Sequence, residues 1–241
     1  LGFEKFYGFI GAETDQWRPA LFDGTKPIEP YFGNPDFNFD YDLADQAIQW
    51  VRSQKAVAPD KPFFLYYAPG ATHSPHHPKK EWIAKYKGKF DQGWDKVREE
   101  TLARQKKLGI VPADTKLTER SRGLTSWDSC NAEQKELFAY MMEVYAGYLS
   151  QTDYNAGRVL DAIDKLGELE NTLVIYICGD NGASGEGTVR GSLNEIAVVN
   201  GIPEDSKEML KQKADIGTWK THNHYPVQWA HAMDAPFQWT K

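Results

Sequence analysis

The fold is decided by the run Leu173–Gly182, which reads LVIYICGDNG. Its first half is apolar and rich in β-branched residues, which predicts a buried strand. In α/β sheets, ligand-binding groups collect just beyond the carboxyl ends of the strands. Asp180 and Asn181 follow this strand and offer one anionic and one neutral oxygen, which suits Ca²⁺ or Mg²⁺ better than zinc. The tripeptide Asp180-Asn181-Gly182 also favours a simple turn.

A second apolar run and two helical patterns complete the predicted core. Phe63–Ala68 predicts a strand buried on both faces, as parallel strands are. Apolar residues recur at helical spacing over residues 42–53. Asn131 and Gln134 form a capping-box pattern that opens the longest helical stretch, which extends to about Gly167. This order predicts an α/β fold with a mostly parallel sheet and helices on both faces.

The remaining segments are less regular. Residues 1–33 have no clean period and predict irregular structure packed on the surface. Residues 79–130 predict an insertion of short exposed helices and irregular structure, and residues 182–230 a long loop region with a small helix near Pro203–Gln212. The chain starts at Leu1 rather than methionine, and both ends look cut.

Composition narrows the class of partner. With 241 residues, of which 41% are hydrophobic, the chain can bury a sizeable core. A net charge of -6 argues against a general nucleic-acid binder, which normally carries a basic face. No apolar run approaches the roughly 20 residues that span a bilayer. From the acidic charge we expect a small-molecule partner. Only two cysteines occur, Cys130 and Cys178, so there is no disulfide framework.

The loop after the first predicted strand carries three histidines among prolines. Proline restricts the backbone, and a rigid loop at a strand end can present an imidazole for hydrogen bonding or proton transfer. His73 is therefore a candidate active-site residue. Ordinary surface histidines are one alternative, and a zinc site that also uses His76 and His77 is another, although this spacing converges poorly on a tetrahedral ion.

Other candidate sites are weaker. The aromatic residues Trp229, Phe237 and Trp239 near the end of the chain are equally suited to line a pocket or to pack in the core. Loop Gly182–Gly187 is rich in glycine but lacks the lysine of a phosphate-binding loop. No Gly-x-Ser-x-Gly motif is present, and neither cysteine has a convincing catalytic setting, so no complete pair of nucleophile and base is evident.

Five sequence motifs occur in a recognisable order. They are Gly2–Gly11, Lys61–Leu65 followed by Thr72–Pro75, Val144–Asp153 followed by Gly157–Leu160, Gly179–Gly182, and Pro236–Lys241. Together they resemble the sulfatase family, specifically the bacterial arylsulfatase-like branch of the alkaline phosphatase superfamily. The resemblance covers nearly the whole chain.

The resemblance implies a set of site residues. A divalent cation, usually Ca²⁺ and with Mg²⁺ as an alternative, would be held in part by Asp180 and Asn181. His73 and Lys241 would contact the sulfate group as catalytic residues. His224 resembles a histidine near the substrate pocket and is a candidate substrate contact.

The chain departs from the family pattern at the nucleophile. Sulfatases use a formylglycine made from Cys or Ser in a Cys/Ser-x-Pro-x-Arg motif, and this chain has no such motif. The acid pair that completes the cation site, and the lysine and histidine that follow the nucleophile, are missing too. The resemblance therefore implies that residues 1–241 are the central part of a sulfatase catalytic domain, an incomplete fragment that is inactive alone.

For the intact protein the resemblance implies hydrolysis of small-molecule sulfate monoesters in a periplasmic or secreted location, with a cytoplasmic one as the alternative. Phosphate or phosphonate ester hydrolysis on the same fold remains open, as does a non-catalytic fragment or interaction module. The sequence does not indicate an oligomeric state.

Overall fold

A computed structural model describes residues 2–179 and 182–241 of the chain. The strands and α-helices are, in order, β1 (Tyr7–Gly8), β2 (Leu21–Asp23), β3 (Lys26–Ile28), α1 (Phe39–Val57), α2 (Lys80–Ala84), α3 (Gly93–Lys107), α4 (Ala132–Lys165), α5 (Glu195–Val199), α6 (Ser206–Lys211) and α7 (Val227–Met233). Short 3₁₀ turns occur at Trp127–Ser129, Leu169–Asn171 and Lys213–Asp215.

The three strands form one small antiparallel sheet in the order β1-β2-β3. Tyr7 lies opposite Asp23, and Leu21 lies opposite Ile28. Most of residues 2–33 is irregular, as the sequence predicts. The three strands were missed, because strands of two or three residues are too short to leave a periodic pattern. Leu21 is buried and anchors the sheet to the start of α1.

Helix α4 is the central element of the fold and begins as the sequence predicts. The side chain of Asn131 accepts a hydrogen bond of 2.9 Å from the backbone nitrogen of Gln134. The Gln134 side chain in turn accepts one of 3.0 Å from the Asn131 backbone nitrogen, which confirms the capping box. The helix ends at Lys165, two residues before the predicted end, and buries an apolar stripe: Leu137, Met141, Val144 and Tyr148.

Helix α1 packs along the second half of α4 through small and branched apolar residues. The buried set comprises Ala44, Ala47 and Val51 on α1 with Val159 and Ile163 on α4. A polar contact fixes the register of the two helices, because buried Asp40 accepts hydrogen bonds of 2.9 Å from both Gln151 and Asn155. Helix α1 extends beyond the predicted residues 42–53 at both ends.

Helix α2 lies against α4 at a position where only glycine fits. A Cβ atom on Gly147 would lie 2.9 Å from the backbone nitrogen of Ile83 and 2.9 Å from the carbonyl carbon of Trp82. The missing side chain therefore lets the two backbones approach closely. Trp82 also donates a hydrogen bond of 2.8 Å to the hydroxyl of Tyr41 on α1.

An aromatic cluster joins α3, α4 and α7. The ring of buried Trp229 lies with its centroid 5.6 Å from that of Trp94 and 5.8 Å from that of Trp127. Trp229 is thus a core residue. Packing in the core was one of the two possibilities that the sequence left open for it, and lining a pocket was the other. Phe237 and Trp239 are exposed and do not join this cluster.

The two predicted strands form no ladder within the described parts of the chain. In Phe63–Ala68 the side chains alternate: Phe63, Leu65 and Tyr67 pack on α1 and α4, whereas Phe64 and Tyr66 are each 72% exposed. All five side chains of Leu173–Ile177 are exposed. The described residues therefore do not show the predicted buried strands, because burial in a parallel sheet requires neighbouring strands that they do not supply.

The described residues thus combine helices with a small sheet whose pairing is antiparallel. The helices cover one face of the Phe63–Ala68 segment, and the parallel order that the sequence predicts is not formed here. Among the described helices, none is both long enough and apolar enough to cross a bilayer.

Candidate active site

His73 lies at the surface in the loop that follows Phe63–Ala68. Its Nδ1 atom is 2.9 Å from the backbone oxygen of Ser74 and 3.3 Å from Oε2 of Glu13. Both neighbours are hydrogen-bond acceptors, so Nδ1 carries the hydrogen. Nε2 is then the ring nitrogen that these two neighbours leave available to a substrate.

The other two histidines of this loop are structural. His77 is fully buried, and its Nε2 donates to the backbone oxygen of Thr221 at 2.6 Å. His76 is also buried and stacks on Tyr225 with ring centroids 5.1 Å apart. Burial lowers the pKa of His77 to about 4 although Asp15 lies nearby, and it also lowers the pKa of His76. Both imidazoles are neutral at pH 7. Among the described residues, the three histidines of this loop do not come together as a metal-binding group, which was the zinc alternative that the sequence left open.

The loop is held by the backbone of residues 221–225. The Ser74 hydroxyl donates to the backbone oxygen of Asn223 at 3.3 Å, and the His76 backbone nitrogen donates to the same oxygen at 3.3 Å. The side-chain oxygen of Asn223 accepts a hydrogen bond of 3.0 Å from the Gly217 backbone nitrogen. The His73 loop is therefore held by residues 221–225, a segment that is distant in sequence and makes further hydrogen bonds of its own.

His224, the candidate substrate contact, lies beneath this surface and is only 1% exposed. Its Nδ1 donates to the backbone oxygen of Tyr225 at 2.9 Å, and its Nε2 is 3.1 Å from the hydroxyl of Ser184. Burial lowers the pKa of His224, which makes the ring neutral at pH 7. A Cβ on Gly187 would lie 2.5 Å from His224 Nδ1 and 1.9 Å from the Tyr225 oxygen, so glycine is required for the loop to approach.

Glu13 links His73 to a second histidine. Its Oε1 atom lies 3.1 Å from Nε2 of His222, while its Oε2 faces His73. On the far side of the His222 ring, Nδ1 lies 3.8 Å from Oε2 of buried Glu195. Imidazoles and acids thus alternate along a row of four side chains that leads from the surface into the interior: His73, Glu13, His222 and Glu195.

Lys241 lies at the edge of the same region. Its backbone nitrogen donates to the backbone oxygen of Ala183 at 3.0 Å, and the Ala183 nitrogen donates to the Asp234 carboxylate at 3.0 Å. Both contacts hold the segment that directly follows Asp180 and Asn181. These two predicted metal ligands lie outside the described residues.

A profile of the sulfatase family matches residues 1–233 of the chain. The chain belongs to the sulfatase family. The matched range includes His73, Asp180, Asn181 and His224, whereas Lys241 lies beyond it.

Two relatives illustrate the likeness of this sulfatase chain. An uncharacterized sulfatase of Schizosaccharomyces pombe is 37% identical over 180 residues, which cover 74% of this chain and 31% of that protein. An arylsulfatase of Klebsiella aerogenes is 28% identical over 245 aligned positions, which cover 98% of this chain and 50% of that protein. The sulfatase chain therefore spans half or less of the length of these relatives.

Among solved structures, the crystal structure of Ps i-CgsB matches with a TM-score of 0.42 and 19% identity, over 71% of this chain and 31% of that one. The same protein in complex with k-i-k-neocarrahexaose matches with a TM-score of 0.42 and 20% identity.

The structure of this sulfatase chain adds residues that the sequence did not single out. Glu13, Ser184, Glu186, Glu195 and Asp234 all contact or adjoin the predicted site residues. Glu13, Glu195 and Asp234 are ordinary acids in separate segments that no motif or spacing marks. Ser184 and Glu186 lie in the glycine-rich loop Gly182–Gly187, whose composition alone gave them no role. Only their proximity in the folded chain reveals them.

Proposed function

We propose that the intact protein hydrolyses small-molecule sulfate monoesters and that this chain supplies one side of its active site. The observation that carries the proposal is the match to the sulfatase family over residues 1–233. The geometry supports it, since the His73 loop rests on residues 221–225 and Lys241 is bonded next to the segment that follows Asn181.

His73 is proposed as the hydrogen-bond and proton donor to the ester. Because Ser74 and Glu13 occupy Nδ1, the Nε2 side of the imidazole meets the substrate. When the sulfur–oxygen bond of the ester breaks, the leaving-group oxygen gains negative charge. A proton held on Nε2 and given up at that moment would neutralise this charge.

Lys241 is proposed to offset the negative charge of the sulfate group. Its backbone is tied to Ala183, which places the residue beside the loop that begins after Asn181. A single ammonium group at contact distance can dominate the local potential even though the chain as a whole is acidic.

Asp180 and Asn181 are proposed to hold the divalent cation. One carboxylate and one amide oxygen are the donor chemistry that Ca²⁺ and Mg²⁺ prefer, so the residue types fit the ion. When bound, the cation would stabilise negative charge on the sulfate oxygens. The remaining ligands and a formylglycine nucleophile are expected from residues that this sequence does not contain. In the same intact protein, residues 63–68 and 173–179 are proposed to be strands of a parallel sheet.

The test is turnover of p-nitrophenyl sulfate and p-nitrophenyl phosphate by the intact protein, with and without a chelator. We expect the sulfate ester to be the better substrate and His73→Ala to lower its kcat by about 10²-fold or more. Lys241→Ala should also lower turnover, whereas Lys26→Ala, an exposed lysine in β3, should leave it unchanged. A preference for the phosphate ester would favour the alternative hydrolase, and turnover that is insensitive to His73→Ala would refute the proposed role of this residue.

A further inference from the structure

Buried His224 and two glutamates form a group suited to bind a metal ion. Glu186, Glu195 and His224 each offer one ligand atom, and these three atoms lie within 4.8 Å of one another. They come from three different segments: the loop after Asn181, the start of α5, and the segment before α7.

His224 presents the nitrogen that a metal requires. Because Nδ1 donates to the Tyr225 backbone oxygen at 2.9 Å, the neutral ring carries its lone pair on Nε2. Nε2 is directed at the hydroxyl of Ser184, which is 3.1 Å away and 2.9 Å from Oε2 of Glu186. Metal-binding histidines commonly donate their second ring N–H to a backbone carbonyl, and His224 has this arrangement.

Glu195 supplies an independent sign that a ligand is missing. Glu195 is 6% exposed, and its Oε2 atom has no hydrogen-bond partner among the described residues. The nearest basic atom, Nδ1 of His222, is 3.8 Å away and is itself buried without a partner in the described chain. A buried carboxylate oxygen in this condition is costly, since its lost hydration is not replaced. A bound cation would remove that cost.

The backbone fixes the relative positions of these ligands. Ser192 and His224 exchange two backbone hydrogen bonds, of 2.9 and 3.0 Å, and the Glu195 nitrogen donates to the His222 oxygen at 3.1 Å. On the opposite side, the close approach of Gly187 to His224 brings neighbouring Glu186 into range. A site held by paired backbone segments loses little entropy when it binds an ion.

We propose that Glu186, Glu195 and His224 bind a divalent transition-metal ion of the zinc class. One imidazole nitrogen and two carboxylate oxygens are ligands that Zn²⁺ accepts, and three protein ligands leave a further position open. Ca²⁺ is disfavoured because it takes six to eight oxygen ligands. The site differs from the one proposed for Asp180 and Asn181, and it gives His224 the role of a metal ligand instead of a substrate contact.

The test is calorimetric titration of the purified protein with Zn²⁺ and separately with Ca²⁺, together with metal analysis after dialysis. We expect one Zn²⁺ per chain to bind in a manner that depends on all three ligands. Glu186→Gln and Glu195→Gln should each weaken binding by about tenfold or more. The matched substitution Glu170→Gln, at an exposed glutamate outside this region, should have no effect.

Two further variants locate the ion. His73→Gln tests whether zinc instead uses the Glu13 cluster, and Asp180→Asn tests whether it uses the family cation site. Zinc binding that is lost in either of these variants but kept in Glu186→Gln and Glu195→Gln overturns the proposal, as does the absence of stoichiometric binding. Glu186 is exposed, so its variant retains the fold and decides the matter even if Glu195→Gln unfolds the protein, which circular dichroism would reveal.

Discussion

Oε2 of Glu13 lies 3.3 Å from Nδ1 of His73, and the other oxygen of the same carboxylate lies 3.1 Å from Nε2 of His222. One acid thus holds two imidazoles that come from distant parts of the sequence. A carboxylate behind an imidazole fixes the orientation and hydrogen placement of the ring. We therefore expect Glu13 to position the imidazole ring of His73.

Replacing Glu13 should impair the chemical step more than substrate binding. In the intact protein we expect Glu13→Ala to lower kcat for an aryl sulfate by about 10- to 100-fold, with a smaller change in KM. Glu13→Gln retains an acceptor oxygen and should be milder. Steady-state kinetics measure both constants, and Glu170→Ala is the control. An increase in KM with kcat unchanged would contradict the positioning role.

The buried histidine His77 should make the protein less stable in acid. In the unfolded chain His77 binds a proton near its ordinary pKa of 6.5, whereas burial lowers its pKa in the folded state to about 4. Between these values the unfolded state holds the extra proton, so the free energy of unfolding falls as the pH drops from 6.5 towards 4. The shift corresponds to about 3 kcal/mol. The lowered pKa values of His76 and His224 act in the same direction.

Urea unfolding at intervals between pH 7.5 and 4.5 measures this effect. His77→Gln keeps a donor for the Thr221 oxygen but cannot titrate, so it should show a shallower fall in stability than the unchanged protein. Equal slopes for the His77 variant and the unchanged protein would show that His77 titrates normally.

Two glycines of α4 should respond in opposite ways to alanine. A Cβ at Gly147 would meet the backbone of α2 at 2.9 Å, so Gly147→Ala should destabilise the protein by about 1–3 kcal/mol. Gly157 has no atom within 4 Å of a Cβ, so Gly157→Ala should stabilise by up to about 1 kcal/mol through its better helix propensity. Denaturant midpoints measure both. A stabilising Gly147→Ala would show that α2 can move away from α4.

The exposed apolar run at 173–177 should promote self-association. Ile177 is 81% exposed and lies in a segment without a ladder partner in the described chain. Replacing it by lysine should lower the concentration-dependent light scattering of the purified chain, since charges block the pairing of open strand edges. Val57→Lys, at a residue that is 86% exposed at the end of α1, is the control. Equal effects of both substitutions would argue against a special role of the run.

The elements that the sequence predicted well are those determined locally. The capping pair Asn131 and Gln134 and the 3.6-residue period that follows place α4 within two residues of its observed end. Strand burial is not local, because it depends on neighbouring strands. The composition of Leu173–Ile177 therefore indicated a buried strand although these side chains are exposed in this chain.

The residues of the candidate site also divide into those that the local sequence indicates and those that only the folded chain reveals. His73 was recognisable from a proline-stiffened loop and from the family motif around it. Glu13 and Glu195 were not, because an acid in an irregular segment has no distinguishing pattern until the chain brings it next to a histidine. The catalytic roles of His73 and Lys241 and the substrate contact by His224 remain predictions.

The contacts of Glu13 and Trp17 with residues 217–222 also have a consequence for the order in which the chain can fold during synthesis. Trp17 donates a hydrogen bond to the Gly217 backbone oxygen, and Glu13 contacts His222. These two early residues therefore lack their partners until a much later segment of the chain has been made. Helices α1 and α4 can associate on the ribosome before that segment emerges, because their contacts are complete without it. The α1–α4 scaffold can therefore form first, and the contact between Glu13 and His222 can form only after residue 222 has been made.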